Sequence, residues 1–127
     1  MANFTNFAEE KALEFLFRGE SEIYVSLVDD TAEVADLEEG DLEKIPEIDV
    51  ERQIIEFTKP IQDKGKGIIK NVADIEFEKM PEVTVKYIII VNDETEVLAW
   101  SKLEDERSVN VGDIFRLPEG DQVIKIN

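Results

Sequence analysis

A chain of 127 residues, 43% hydrophobic and 35% charged, is long enough for one substantial core and too apolar to remain disordered. It contains no Cys and no His, which removes disulfides, thiolate nucleophiles, Cys/His zinc sites, histidine-ligated haem and every Ser-His-Asp or Cys-His arrangement. The net charge of −17 opposes nucleic acid and anionic membrane surfaces, both of which are recognised through clustered Lys and Arg.

Residues 4–18 predict a helix. Thr5 or Asn3 can cap its start, good helix formers fill Ala8 to Leu16, Glu14 and Arg18 form an i,i+4 pair, and Gly19 suits the position after the C-cap. On a helical wheel Phe4, Ala8, Ala12, Phe15 and Leu16 share one face, and Leu13 and Phe17 widen the apolar arc. So broad an arc, with four of the seven Phe in the first 17 positions, fits two arrangements: a helix sandwiched between its own domain and something else, such as a neighbouring subunit, or a helix fully covered by its own core. The start, Met1-Ala2-Asn3-Phe4, lacks the basic and apolar regions of a secretory signal.

From Glu22 the period changes to two: Ile23, Val25 and Leu27 alternate with Tyr24, Ser26 and Val28 as a strand. Residues 29–49 hold ten acids against the single base Lys44, a segment of net charge −9 that reads as a solvated acidic loop. Its Val34, Leu37, Leu42, Ile45 and Ile48 predict that it lies against the body. Short strands follow over Val50–Phe57, at Ile68-Ile69 after Gly65-Lys66-Gly67, over Val72–Phe77 and, most strongly, over Val83–Val91. The turn Asn92-Asp93-Glu94-Thr95 leads into Glu96–Leu103. Ile114–Leu117 and Gln122–Ile126 complete the set, separated by the turn Pro118-Glu119-Gly120. Seven or eight strands at this spacing predict a mainly β chain, an antiparallel β-sandwich with one N-terminal α-helix. The expected organisation is a single domain over 1–127, with the helix in 1–19 and the sandwich in 20–127. The longest apolar run, Tyr87 to Val91, is far too short to span a bilayer.

Carboxylates are the only abundant reactive groups. Two of them flanking a sugar bond suffice for glycosidase chemistry, but among 31 acids some pair always has a plausible separation. The aromatic platforms such a site needs are limited to Trp100, Tyr24 and Tyr87. Calcium takes oxygen ligands, yet Asp36-Leu37-Glu38-Glu39-Gly40-Asp41 places Gly where an EF-hand loop needs a ligand and Asp41 where it needs Gly. Gly65-Lys66-Gly67 has neither the Walker spacing nor the dinucleotide fingerprint and reads as a turn. Trp100 reads as a residue packed on a core, with ligand contact as the other option. No catalytic, cofactor-binding or metal residue is therefore assigned, and no cofactor is expected.

The order of these pieces resembles a family of small tailed-phage virion proteins of the tail fibre, head fibre or capsid decoration type. Ala2-Asn3-Phe4-Thr5-Asn6-Phe7-Ala8-Glu9, with Leu13, Leu16 and Gly19, resembles the family's N-terminal helix, and Ile23-Tyr24-Val25-Ser26-Leu27 the strand after it. Further similar stretches are Arg52-Gln53 before Ile55 and Phe57, Asn71-Val72-Ala73-Asp74-Ile75-Glu76-Phe77, and Leu98-Ala99-Trp100-Ser101-Lys102-Leu103. Val109-Asn110-Val111-Gly112-Asp113 with Phe115, and Gly120, complete the likeness. The acidic segment departs from it, standing where the family typically has a Gly- and Thr-rich connection.

The resemblance implies a non-enzymatic structural protein of the virion, assembled in the host cytoplasm, that decorates the capsid or anchors a head or tail fibre. It implies other virion proteins as partners, the major capsid protein or fibre and tail components, and a homo-oligomer. Phe4, Phe7, Phe15 and Phe17 are the expected docking surface, by apolar burial. The alternative from another class is a carbohydrate- or cell-surface-binding module that uses end loops and Trp100.

Overall fold

The structure, a computed structural model, describes residues 2–126. In chain order its elements are α1 (Asn6–Phe17), β1 (Ile23–Asp29), α2 (Val34–Glu39), β2 (Gln53–Ile54), β3 (Ile61–Asp63), β4 (Lys66–Lys70), β5 (Ile75–Phe77), β6 (Val83–Asn92), β7 (Val97–Val109), β8 (Phe115–Leu117) and β9 (Val123–Ile126). The chain is mainly β with antiparallel sheets and an N-terminal helix, as the change of period after Gly19 predicts. It divides into two compact units, one of Met1–Ser21, Ile55–Ile75 and Leu117–Asn127, the other of Glu22–Ile54 and Glu76–Arg116.

In the first unit α1 packs on β4, the central strand of the sheet β3-β4-β9. Thr5 is the N-cap, its hydroxyl accepting from the Ala8 N–H at 3.1 Å, and the Glu14–Arg18 pair closes at 2.5 Å. The buried side of α1 is Glu9, Leu13 and Phe17, spaced by four; the Phe4, Ala8, Ala12, Phe15, Leu16 face of the wheel is not the one turned inward. Close approach to β4 decides this. At Gly67 a Cβ would stand 3.0 Å from Glu9 Cβ and 3.4 Å from Leu13 Cδ1, tight enough that a side chain there would push the helix outward by a few tenths of an ångström. In the same contact the Gly67 N–H donates to Glu9 Oε1 at 3.1 Å. Phe17 then meets Phe57 edge-on, with ring centroids 5.6 Å apart, and Arg18 donates to the Phe57 carbonyl. Buried Asn71 ties the remaining segments together: its amide donates to the Ala73 and Pro118 carbonyls and its oxygen accepts from the Gln122 N–H.

The second unit is built on the sheet β2-β1-β6-β7. The register Tyr24↔Val91, Ser26↔Ile89, Val28↔Tyr87 puts Val28, Tyr87, Ile89 and Val91 on one face, where Leu37 and Ile45 of the acidic segment cover them. That segment is more ordered than a loop. It contains α2, whose C-cap Gly40 adopts φ 66° and returns its N–H to the Asp36 and Leu37 carbonyls. Its acids face outward because Leu37, Ile45 and Ile48 take the inward positions; Val34 remains exposed. Ser26, wholly buried, donates to Glu47 Oε2, and Arg52 grips both oxygens of the same carboxylate at 2.6 and 2.7 Å. Elsewhere in the unit, Phe77 and Phe115, on the paired strands β5 and β8, meet edge-on at 6.4 Å.

Besides α2, several strands differ from the sequence expectation, and that over Val72–Phe77 is shortened to Ile75–Phe77. The strand over Val50–Phe57 is reduced to Gln53–Ile54, because the chain leaves the second unit after Ile54 and Phe57 instead bridges Asn71. β3 has no counterpart in the sequence expectation: Lys64 (φ 53°) and Gly65 (φ 79°) form a two-residue left-handed hairpin turn that folds Ile61–Asp63 back on β4. β7 extends from the expected Leu103 to Val109 by accommodating Leu103–Glu106 opposite Lys86 alone, an enlarged bulge.

Two outcomes follow from these contacts. Gly67→Val should destabilise the protein by about 1–3 kcal/mol through overpacking against Glu9 and Leu13, read as a fall of several degrees in the thermal midpoint. The Arg52 hydrogen bonds, helped by that from Ser26, outweigh burial and hold the Glu47 carboxyl below its ordinary 4.5. A lowered carboxyl stabilises the fold fully above its unfolded value, and that stability is lost as pH falls through the folded one. Urea midpoints measured downward from pH 6 should therefore drop below about pH 4.5, and Glu47→Gln should remove this component of the pH dependence.

Candidate assembly surface

The rotation of α1 fixed by Glu9 and Gly67 leaves the opposite side of the helix outward. At 100° per residue Phe7, Lys11 and Phe15 lie diametrically across from Glu9, Leu13 and Phe17. Phe7 is 70% exposed and Phe15 82%; Phe4, just before the N-cap, is 57% exposed. Of the four Phe expected at a docking surface, three are thus displayed and one is not. Phe17 is only 5% exposed and belongs to the packing with Phe57. The Lys11 ammonium lies 5.6 Å from the centroid of the Phe7 ring, a cation–π contact that leans the lysine back toward the helix N-terminus.

Beside this stripe is an open groove of about 470 Å³ lined by Phe7, Glu10, Lys11, Glu14, Lys59 and Pro60. Two carboxylates and two ammonium groups make it charge-balanced. Lys59 and Pro60 were not singled out from sequence, because they lie far from α1 along the chain; the four-residue spacing of Phe7, Lys11 and Phe15 was available there.

Charge is distributed unevenly between the units. The first has nine acids against seven bases, a net charge of −2, and the second has 22 acids against seven bases, a net charge of −15. The displayed aromatic stripe therefore belongs to the nearly neutral unit.

The other candidate residues lie elsewhere. Trp100 is half-buried, edge-on to buried Tyr87 at 6.1 Å, and is part of the packing against Leu37 and Ile45. Tyr24 donates to Glu22 at 2.5 Å, a hydrogen bond that raises its phenol above the ordinary value. Asp36 to Glu39 are in α2 rather than in a ligand-presenting loop, and among the described residues no group of three or more acids could hold a metal ion. A second apolar display occurs in the second unit, where Val111 and Ile114 are exposed on a loop fixed by hydrogen bonds between Gly112 N–H and Met80 O and between Met80 N–H and Asp113 O. No helix among the described residues is long and apolar enough to cross a membrane.

Compared with known proteins, residues 3–125 match the family described as podophage GP4 fiber I protein gp80. No curated protein and no solved structure matches the chain. Because the match spans nearly the whole sequence, the chain belongs to the podophage GP4 fiber I protein gp80 family and is a bacteriophage fibre protein, a structural component of the virion.

Proposed function

We propose that this chain is a non-enzymatic fibre-anchoring module that joins its assembly through the outward face of α1. The observation that carries this reading is the display of Phe7 and Phe15 on a helix whose other side is already buried, with Phe4 exposed just before its N-cap. Large aromatics on a rigid element supply buried area at low entropic cost, which makes them natural anchors of an interface. Anchoring suits the charge distribution: the nearly neutral unit makes the contact, and the unit of charge −15 confers solubility. The same charge disfavours retention on nucleic acid, so partners are other virion proteins and further copies of the chain. Capsid decoration would use the same face with the major capsid protein as the support.

Phe7→Ser and Phe15→Ser remove exposed side chains and should change stability by no more than about 0.5 kcal/mol. Attachment to fibreless particles, followed by co-sedimentation, should fall at least about tenfold, the loss of a little over 1 kcal/mol at an anchor residue. Phe17→Ser, which truncates a packed ring, should instead cost about 3–5 kcal/mol and appear as lost ellipticity or a lower thermal midpoint. Normal attachment by folded Phe7→Ser and Phe15→Ser proteins would overturn the proposal.

A further inference from the structure

The outward stripe of α1 is symmetric about its middle: Phe7 and Phe15 each stand four residues from Lys11. We infer that the occupant of this stripe is a second copy of this chain, packed α1 against α1, antiparallel, about a two-fold axis near Lys11. This rests on the reading of the outward face as the assembly surface and names what covers it.

A two-fold interface requires that when residue i of one copy meets residue j of the other, j also meets i. Antiparallel pairing about residue 11 satisfies this with like chemistry, since Phe7 of each copy falls against Phe15 of the other. Aromatic pairs of this kind are favourable beyond the area they bury. Lys11 then lies at the axis, and its conformation decides the relative direction of the helices. Each ammonium leans toward its own Phe7. In an antiparallel pair the two lysines therefore diverge, each toward a Phe7 that the other copy's Phe15 adjoins, where the ring faces favour a cation. In a parallel pair they would lean the same way and lie side by side.

Electrostatics select this face from the rest of the surface. Copies of a chain with net charge −17 repel one another, least so through the unit that carries −2. The groove along the stripe brings Glu10 and Glu14 together with Lys11 and Lys59, so two such grooves meet with balanced charge and cross-pairing available in both directions. Area agrees. At the exposures observed, the three Phe remove about 400 Å² per copy, or about 800 Å² for the pair. With flanking side chains adding to it, this approaches the lower end of specific interfaces, and the expected dimer is correspondingly concentration-dependent.

The absence of Cys lets single-cysteine variants report one position each. In sedimentation across a concentration series, the unmodified chain should approach twice its mass of 14.5 kDa, and Phe7→Ser should weaken this association at least about tenfold. Under mild oxidation Lys11→Cys should be captured as a disulfide dimer. Asn3→Cys and Glu20→Cys, both at exposed positions flanking α1, should cross-link with each other when mixed and each poorly with itself. A constant mass of 14.5 kDa at every concentration would overturn the inference, and so would preferential self-linking of Asn3→Cys and Glu20→Cys, which reports parallel helices. A monomer whose particle attachment still depends on Phe7 would overturn the second copy as occupant and leave the anchoring reading intact. Normal attachment and unchanged mass in folded Phe7→Ser protein would overturn both.

Discussion

The first unit depends on one short contact, that between Glu9 on α1 and Gly67 on β4. A buried carboxyl group is costly unless it is hydrogen-bonded, and here a backbone N–H at 3.1 Å supplies the partner. The missing Cβ of Gly67 permits the approach, and the hydrogen bond fixes the rotation of the helix about its own axis. With that rotation set, Leu13 and Phe17 must enter the core, and Phe7, Lys11 and Phe15 must leave it. A rotation of about half a turn, the 200° that two residues span, would have exchanged these roles. The display on which the functional reading rests is therefore a consequence of a polar contact in the interior.

The second unit meets a different constraint, that of holding 22 acids in a compact body. Its acidic segment places apolar side chains inward on the sheet and leaves the carboxylates to water, where their mutual repulsion is screened. Glu47 is the exception. It lies between Ser26 on β1 and the guanidinium of Arg52, and the bidentate pair fastens the end of the segment to the strand it covers. The edge strand β7 carries its charges along an exposed, bulged ribbon, a form that discourages further strand pairing. Apolar side chains are displayed on α1 and on the fixed loop bearing Val111 and Ile114, and singly elsewhere, as at Ile54 and Ile61.

Much of this was legible in the amino-acid sequence because it is local. The helix with its Thr5 cap, the alternation of β1, the long apolar run of β6 and the turn at Asn92–Thr95 each express a backbone preference within a few residues. Composition removes histidine and thiol chemistry outright, and the order of short motifs resembles that of phage virion proteins. The hydropathy of the segment over 29–49 also marked Leu37, Ile45 and Ile48 as inward.

What composition and periodicity could not determine was which side of an apolar helix faces inward. α1 has hydrophobic residues nearly all round, so its wheel offers no unique buried stripe, and the true one includes a glutamate that any hydropathy scale turns outward. The choice was made by a glycine 58 residues away, through steric access and a hydrogen bond that have no local signature. β3 likewise depends on the pairing of Ile61–Asp63 with β4, and the loss of strand over Val50–Phe57 on the passage of the chain between units. The sequence by itself determined the mainly β class, the charge and the chemistry that is absent. Only the tertiary structure decided that Phe17 is core while Phe7 and Phe15 are surface, because burial is a property of what the rest of the chain brings alongside.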